Sequence, residues 1–402
     1  MDREPAHSSP PPPAVASIVD EYLLQMLERR ASDLFLSPGL APAYRVDGSI
    51  VRTELPAPAE ADLSAFMDRA LTAPARQRFA ECPDVDLAYI AGGKGRFRLN
   101  LFLHQGRLGL VARLVPSGAV DFATLNLPRV ILEMADSQSG LILIVGPAGC
   151  GKSTTLAALI HHINCTRAEH IVTIEDPIEF VHDEEKALLH QRQVGYDTVS
   201  FPIALRHVVR QNPDVILIGE MRDTDTIQTA LGAALTGHLI LSTLHATNVV
   251  QAVERALNYF GPEARRQAQA DLATTLIGIV SMRLLPRSGG LGRVPCVEVL
   301  RATPLVRKLL GEGKLVDLYD VMKRGADAGM CTMNQSLVGL CKKGLVREET
   351  ALPYAPNPDE FRLNMQGMFT GIDSIDQRTA KPAFSEARPG EADEDPWKDE
   401  AK

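Results

Sequence analysis

Eight residues near the middle of the chain, Gly146 to Ser153, have types and spacing that could bind phosphate. They fit the pattern Gly-x4-Gly-Lys-Ser/Thr, follow the apolar run Leu141–Val145 and precede a helical pattern that begins at Thr154. In such a loop, backbone N–H groups and a helix N-terminus face a phosphate, and Lys152 adds a positive charge near the β- and γ-phosphates. The Ser153 hydroxyl is placed to bind Mg²⁺. The predicted nucleotide-binding residues are Gly146, Pro147, Ala148, Gly149, Cys150, Gly151, Lys152, Ser153 and Thr154.

Three further segments place polar side chains at the ends of predicted strands. The apolar strand 171–174 leads to Glu175, Asp176 and Glu179, and one of these carboxylates could position or deprotonate an attacking water. The apolar run before Glu220 predicts a strand whose terminal carboxylate holds the Mg²⁺ shell or a water. A third strand rises to Thr243 and His245. In an open α/β sheet the ligand lies at the carboxyl ends of the strands, so these groups should lie near the phosphates.

A predicted hairpin carries several arginines. Residues 96–102 alternate strictly, with Arg96 and Arg98 on one face, and the second strand, 108–115, contains Arg113. On an ordinary strand these would be solvent-exposed charges. Beside a nucleotide site, a planar guanidinium can neutralise charge on the transferring phosphoryl group, as arginine fingers do.

Composition excludes several classes of protein. The formal net charge of the 402 residues is −8, which argues against a general nucleic-acid-binding surface. Nine acidic and five basic residues fall within 373–402, so this tail supplies half of that charge. The six cysteines include no Cys-x-x-Cys pair, which indicates neither a structural zinc site nor a disulfide framework. The N-terminus does not resemble a signal peptide and no apolar run reaches the length of a membrane span, so we expect a cytoplasmic protein without direct membrane insertion.

Periodicity divides the chain into four regions. Residues 1–15 are proline-rich and predict a disordered arm, and 16–116 predict a small α+β domain. From 119 to 370, strands at 141–145, 171–174, 215–218 and 239–243 alternate with helices, which predicts a mostly parallel α/β sheet followed by a helical region. Residues 371–402 predict a disordered acidic tail, and this tail contains the single tryptophan, Trp397.

The order and the amino-acid sequences of these segments, over about residues 16–365, resemble those of the secretion ATPase superfamily (GspE/PulE-like). They most closely resemble those of the PilT/PilU-type retraction ATPases of type IV pili. The segments that carry the resemblance are Ala31–Leu34, Arg45–Gly48, Gly95–Arg98, the glycine loop, Ile174–Glu179, Gln191–Thr198, Pro213–Asp223, Thr236–His238, Thr243–His245 and Leu284–Arg287.

The resemblance implies a fold and a set of site residues. The fold would be α/β, with a smaller PAS-like N-terminal domain, a RecA-like P-loop ATPase domain and a ring of six chains. Glu179 would be the catalytic base, Glu220 the Walker B acid and His245 the γ-phosphate contact. Arg98 and Arg113 would act as arginine fingers. Ser153 and Glu220 would hold Mg²⁺, partly through water.

This sequence departs from the family pattern at three places. Ala148 and Cys150 replace two hydroxyl residues of the glycine loop, which is tolerable because the loop acts mainly through backbone N–H groups. Residues 305–310 stand where retraction ATPases carry a short helix linked to retraction, and only Arg307 and the apolar positions match. The four-cysteine element and the longer N-terminal region of the assembly and type II secretion relatives are absent, which favours retraction.

The function predicted is that of a Mg²⁺-dependent ATP hydrolase, a homohexameric motor for type IV pilus retraction and twitching motility. We expect it in the cytoplasm, recruited to the inner face of the cytoplasmic membrane. Its expected partners are an inner-membrane pilus platform protein and a paralogous retraction ATPase. An accessory PilU-like retraction ATPase, another secretion-type ATPase and a non-hydrolysing ATP-binding ring stay open as alternatives. A RecA-type DNA motor is disfavoured because the chain is acidic and lacks a basic, aromatic-rich groove.

The cysteine of the glycine loop suggests one further hypothesis. Cys150 precedes a helix N-terminus and lies beside Lys152, and both features favour a thiolate with a lowered pKa. Oxidation or alkylation there would block phosphate entry. The alternative is that cysteine simply replaces serine as a small loop residue.

Overall fold

The computed structural model describes residues 17–46, 48–115, 118, 120–290 and 292–368. The predicted arm 1–15 and the predicted tail 371–402 with Trp397 lie outside the described residues. The chain divides into two compact units. The first extends to Gly118 and includes Asp176–His182, and the second comprises Ala119–Glu175 and the chain from Asp183 onward.

The first unit contains one antiparallel sheet and three helices. The sheet has the strand order β3-β2-β1-β6-β5-β4. The elements are α1 (Ile18–Glu28), β1 (Asp33–Leu36), β2 (Ala43–Val46), β3 (Ser49–Arg52), α2 (Glu60–Ala70), α3 (Ala73–Glu81), β4 (Asp84–Ala91), β5 (Gly95–His104) and β6 (Arg107–Val115).

Local sequence explains the main elements of this unit. Helix α1 begins after Ser17, whose side chain and that of Asp20 form a capping box. The predicted hairpin is confirmed as β5 and β6, with Gln105 and Gly106 at positive φ in the turn. Phe97, Leu99 and Leu101 on one face of β5 are fully buried in the core of the unit, whereas Arg98 on the opposite face is exposed.

The second unit contains a seven-stranded sheet and eleven α-helices among its described residues. The sheet has the order β13-β12-β7-β11-β10-β8-β9, and only β12 and β13 pair antiparallel. The elements through the central sheet are α4 (Val130–Ala135), β7 (Gly140–Val145), α5 (Lys152–Thr166), β8 (His170–Glu175), β9 (Leu188–Gln193), α6 (Phe201–Val208), β10 (Val215–Ile218), α7 (Thr224–Leu235), β11 (Leu239–Leu244), α8 (Val249–Asn258), α9 (Pro262–Thr275), β12 (Leu276–Pro286) and β13 (Arg293–Arg301). The C-terminal helices are α10 (Pro304–Glu312), α11 (Asp317–Arg324), α12 (Met333–Lys342), α13 (Glu348–Ala351) and α14 (Pro358–Met365).

Apolar cores cover both faces of this sheet. Along β7, Leu141, Leu143 and Val145 belong to one cluster, and Ile142 and Ile144 belong to the other. A strand that is buried on both faces is apolar at every position, which is why the predicted strands appeared as continuous runs. The predicted α/β class and the four predicted strands of this unit are confirmed.

Strand β12 was not predicted. Strand β12 follows α9 with no turn residue between them, and Leu276 is both the cap of the helix and the first residue of the strand. The apolar run of β12 fits a buried helix or a buried strand equally well by periodicity. Pairing with β7 and β13 decides that it is extended.

Candidate functional site

The glycine loop connects the end of β7 to the start of α5 and packs closely on β12. Gly146, Gly149 and Gly151 all have positive φ, a conformation that glycine adopts without strain. A Cβ on Gly146 would lie 2.5 Å from the carbonyl oxygen of Met282 and 2.6 Å from the sulfur of Cys150. Glycine is therefore required at this position by both backbone conformation and space.

Lys152 folds back over the loop. Its Nζ donates to the carbonyl oxygens of Gly146 at 3.0 Å and Pro147 at 2.9 Å. Helix α5, whose first turn includes the half-buried Ser153 and Thr154, has no side-chain cap at its N-terminus. An uncapped helix N-terminus beside an ammonium group is suited to an anion such as a phosphate.

Glu220 and His245 follow neighbouring parallel strands, β10 and β11, and lie close together. The Glu220 Oε2 atom is 3.6 Å from the Nε2 atom of His245 and 2.6 Å from the Nε atom of Arg222. The Glu220 side chain is 13% exposed, whereas those of His245 and Arg222 are 45% and 68% exposed. The predicted Walker B acid and the predicted γ-phosphate contact are thus brought together at one edge of the sheet.

The environment of His245 favours its neutral form. Burial lowers the pKa of His245, and the charge of Lys152 lowers it further. The carboxylate of Glu220 opposes this shift, while Arg222 and Arg255 add to it. Because the charge of Lys152 acts on His245, the glycine loop and His245 share one electrostatic environment. A neutral imidazole at this edge can donate one hydrogen bond and accept another.

Two hydroxyl groups of β11 connect this strand to β10. The Ser242 hydroxyl donates to the carbonyl oxygen of Ile218 at 2.8 Å, and the Thr243 hydroxyl donates to that of Gly219 at 2.7 Å. Thr243 was expected to offer a polar group to the phosphates, but its hydroxyl is committed to the sheet. These bonds fix the two strand ends that carry Glu220 and His245.

The acidic segment after β8 is divided between the two units. Glu175 ends β8 in the second unit, and its Oε1 atom accepts hydrogen bonds from Thr173 at 2.6 Å and Gln191 at 3.2 Å. Glu179, the predicted catalytic base, is exposed and belongs to Asp176–His182, the segment that groups with the first unit. The three carboxylates therefore do not all belong to the sheet edge that carries Glu175.

Arg98 and Arg113 are direct cross-strand partners in the first unit. The Arg113 Nε atom donates to the buried Asp33 Oδ1 at 2.8 Å, and the Arg45 Nε atom lies 3.3 Å from Asp33 Oδ2. Arg98 lies 3.5 Å from the carboxylate of Asp86, and both of these side chains are exposed. Arg113 is thus held by a buried carboxylate, while Arg98 forms only a solvent-exposed pair.

The pKa of Asp33 shows how firmly Arg113 is held. Burial by itself would raise the pKa of Asp33, but hydrogen bonds from Ser32 and Arg113 and the charges of Arg113 and Arg45 lower it below the ordinary value. Asp33 therefore remains ionised beside two arginines. Like charges that are directly opposed on neighbouring strands destabilise a sheet, so this carboxylate offsets the repulsion between Arg98 and Arg113.

The thiol of Cys150 does not fit the reactive-cysteine hypothesis. Burial raises its pKa, and this effect outweighs the opposing charge of Lys152 and the hydrogen bonds of the loop. The side chain is 3% exposed and contacts the glycine loop from inside. The expectation of a lowered pKa is wrong, because the structure encloses the thiol in apolar surroundings.

Two neighbours of the site were not predicted. Arg222 follows the Walker B-like strand in sequence, but no pattern predicted its ion pair with Glu220. Met282 lies on β12, about 130 residues after the loop, and its sulfur is 3.6 Å from the hydroxyl of Thr155 on α5. No motif marks this residue.

The donor set suits Mg²⁺ bound together with a nucleotide. Ser153 and Glu220 offer hydroxyl and carboxylate oxygens, which are the hard ligands that Mg²⁺ prefers. Within the described residues no three His, Cys, Asp or Glu side chains form a metal-binding group. A protein-only cage is therefore not found there, and Mg²⁺ sites of this class take most of their ligands from phosphates and water.

No helix among the described residues is both long enough and apolar enough to cross a membrane.

Comparison with known proteins places the chain in a family. Residues 13–299 match the family model described as type II/IV secretion system protein. The chain is 39% identical to the Type IV pilus retractation ATPase PilT of Pseudomonas aeruginosa, over 85% of this chain and 99% of that protein. It is 38% identical to the Type IV pilus ATPase PilU of the same organism, over 86% of this chain and 90% of that protein.

Solved structures agree with this assignment. The crystal structure of the pilus retraction motor PilT with bound ADP superimposes with a TM-score of 0.79 at 40% identity, covering 86% of this chain and 99% of that chain. The ATPase DotB of Legionella pneumophila superimposes with a TM-score of 0.68 at 25% identity, covering 89% of this chain and 97% of that chain. The resemblance inferred from the motifs is confirmed, and the chain belongs to the type II/IV secretion system ATPase family, among its PilT- and PilU-like members.

Proposed function

We propose that this protein is a Mg²⁺-dependent ATP hydrolase that drives the retraction of type IV pili. The observation that carries the proposal is the joint presence of the Lys152 loop, Glu220 and His245 at one edge of a parallel sheet, in a chain 39% identical to PilT over 99% of that protein. This edge has the phosphate cradle and the acid that hydrolysis of a nucleoside triphosphate requires.

The first step assigned to the residues is phosphate binding. Backbone N–H groups of Gly146–Thr154 and the ammonium of Lys152 bind the β- and γ-phosphates, which requires Lys152 to exchange its present carbonyl partners for phosphate oxygens. Ser153 and Glu220 would hold Mg²⁺, partly through water. The metal ion, when bound, neutralises charge on the β- and γ-phosphate oxygens.

The second step is attack by water. Glu179 accepts a proton from the water while the water oxygen forms a bond to the γ-phosphorus. The bond between the γ-phosphorus and the β,γ-bridging oxygen breaks, which leaves ADP and phosphate. His245, neutral at pH 7, donates a hydrogen bond to a γ-phosphate oxygen. Arg98 and Arg113 neutralise charge that develops in the transition state.

The proposal extends to assembly and partners. The first unit would be a PAS-like domain, the second a RecA-like ATPase domain, and six chains would form a ring. The ring would act on an inner-membrane pilus platform protein and work beside a paralogous retraction ATPase. Mass measurement at micromolar protein with ATP and Mg²⁺ should give six times the monomer mass, and a monomer under all nucleotide conditions would contradict the motor.

Helix α10 contains residues 305–310, the segment that stands where retraction ATPases carry a short helix linked to retraction. Three of its apolar side chains, Val306, Leu309 and Leu310, are buried, and Leu305 is exposed. Arg307 donates from its Nη1 atom to the carbonyl oxygens of Ala273 and Thr274 at the end of α9. The central arginine that matches the retraction helix therefore caps a neighbouring helix and fixes the position of α10.

An accessory PilU-like role is the second candidate, because the identities to PilT and PilU are nearly equal. The deciding experiment measures ATPase activity of the purified full chain with and without single-stranded DNA, and then pilus retraction after gene deletion in the organism of origin. A primary motor hydrolyses ATP without DNA, and its deletion abolishes retraction. Retained retraction would identify the accessory role, and absent hydrolysis would identify an ATP-binding ring.

A further inference from the structure

Glu298 is a carboxyl group in the interior of the second unit that the phosphate site does not explain. It lies in the middle of β13, opposite Ser281 of β12, and it is 4% exposed. A buried carboxyl group is unfavourable unless it has a partner. Its partner is a backbone atom next to the loop that carries His245.

Ser281 and Glu298, which are paired across β12 and β13, both bind the backbone of the loop that follows His245. The Glu298 Oε2 atom accepts a hydrogen bond from the backbone N–H of Val249, the first residue of α8, at 3.2 Å. The Ser281 hydroxyl donates to the carbonyl oxygen of Thr247 at 3.3 Å. The backbone that follows His245 is therefore fixed at residues 247 and 249.

Helix α8 determines part of the surroundings of His245. A cavity of about 250 Å³ is lined by His245 and Ala246 together with Gln251, Glu254, Arg255 and Asn258 of the helix. The charge of Arg255 contributes to the lowered pKa of His245. The carboxylate of Glu298 faces the positive end of α8, where a negative charge stabilises the helix.

We propose that Glu298 is a positioning residue for ATP hydrolysis, which holds the N-terminus of α8 and thereby fixes the loop that presents His245. This inference rests on the function proposed above. Glu298 acts through backbone geometry and does not itself contact the nucleotide.

The same carboxyl group would respond to pH. Burial raises the pKa of Glu298 to about 7, although the Val249 N–H and the charge of Arg283 oppose this effect. Beyond β13, Cys331 has a pKa raised to about 12 by burial and stays neutral near pH 7. The charged residues of α8, Glu254 and Arg255, are exposed. An ionised acceptor binds an N–H more strongly than a neutral one, so the loop is held more firmly above pH 7.

The test compares Glu298→Gln and Glu298→Ala with the wild-type chain, using kcat and KM for ATP between pH 5.5 and 9. Glu298→Ala should lower kcat about tenfold with little change in KM, because the hydrogen bond that the carboxylate accepts from the Val249 N–H is lost while the glycine loop is intact. Glu298→Gln keeps an acceptor oxygen and should recover part of kcat. Its kcat should lack the rise through pH 7 that we expect for the wild type.

The matched control is Glu133→Gln, on the exposed pair between Glu133 of α4 and Arg301. It should leave kcat and its pH dependence unchanged. A wild-type kcat in Glu298→Ala, or the same rise through pH 7 in Glu298→Gln, overturns the inference.

Thermal unfolding provides a readout that does not depend on ATP hydrolysis. The unfolded pKa of a glutamate is about 4.3, below the folded value, so the folded state binds the extra proton between these values. The stability contributed by Glu298 therefore falls as pH rises from about 5 to 8. The Tm of the wild type, measured relative to that of Glu298→Gln, should fall over the same range. A pH-independent difference overturns the proton response. A wild type without ATPase activity but with this shift contradicts only the proposed function.

Discussion

The proposed phosphate edge of the second unit, which carries Lys152, Glu220 and His245, and the arginine-bearing sheet of the first unit hold their charged groups differently. At the phosphate edge, each side chain follows the end of a buried strand, and Glu220 pairs with Arg222 two residues away. In the first unit, Arg113 lies within a strand and pairs with Asp33, which is 80 residues away in sequence. Glu220 is thus paired with a residue close to it in sequence, whereas Arg113 is paired with a residue that is close only because the sheet brings the two strands together.

This difference distinguishes residues whose loss should affect only catalysis from residues whose loss should also affect stability. Lys152 binds only carbonyl oxygens of its own loop, so its loss removes charge from the site and leaves the sheet intact. Arg113 neutralises the charge of the buried Asp33 carboxylate, which also pairs with Arg45. The loss of Arg113 therefore affects folding as well as any role at the phosphates. The following substitutions test that separation, in order of decreasing effect.

Lys152→Ala should have the largest effect. Removing the ammonium should reduce kcat by at least about 10³-fold and weaken nucleotide binding, because in the proposed mechanism this group contacts phosphate in both the ground state and the transition state. Steady-state ATPase assays and titration with a fluorescent nucleotide analogue measure the two effects. The melting temperature without nucleotide should stay near that of the wild type, and a large drop would place Lys152 among the structural residues.

Glu220→Gln should lower kcat by about 10²–10³-fold while nucleotide binding is retained. The amide keeps the size of the side chain but cannot serve as a carboxylate for the metal shell or the water. The same titration provides the contrast with Lys152→Ala. Turnover at the wild-type rate would show that the Walker B assignment is wrong.

Arg113→Ala and Arg98→Ala form a matched pair on adjacent strands. We expect each to lower kcat about a hundredfold with little change in ATP affinity, less than a lone arginine finger because two arginines share the charge. Only Arg113→Ala should also destabilise the chain, by about 1 kcal/mol, since Asp33 then keeps Arg45 alone. Thermal melting distinguishes the two. An equal loss of stability in both variants, without a specific loss of kcat, would assign them a structural role.

Cys150→Ser should have the smallest effect. The thiol is buried with a raised pKa, so thiol reagents should label the exposed Cys82 first and leave ATPase activity unchanged. Cys150→Ser should retain kcat within about twofold, because the loop acts through backbone N–H groups. Cys82→Ser is the control for labelling. Rapid inhibition of the wild type that Cys150→Ser abolishes would restore the redox hypothesis.

The sequence by itself determined the α/β class, the central strands of the parallel sheet and the loop with Lys152 and Ser153. These features are local, because a strand buried on both faces must be apolar throughout and a phosphate loop needs glycine and lysine at fixed spacing. The rule that parallel strands end at one edge was enough to predict that Glu220 and His245 lie near each other.

Only the tertiary structure decided the rest. Strand β12 is extended because β7 and β13 pair with it, and its Met282 in turn limits Gly146 to glycine. The raised pKa of Cys150 comes from burial that no neighbour in the sequence reveals. Likewise, the contact of Glu298 with the N-terminus of α8 joins residues 49 positions apart. Burial and long-range pairing depend on which surfaces meet, and that depends on the whole fold rather than on local spacing.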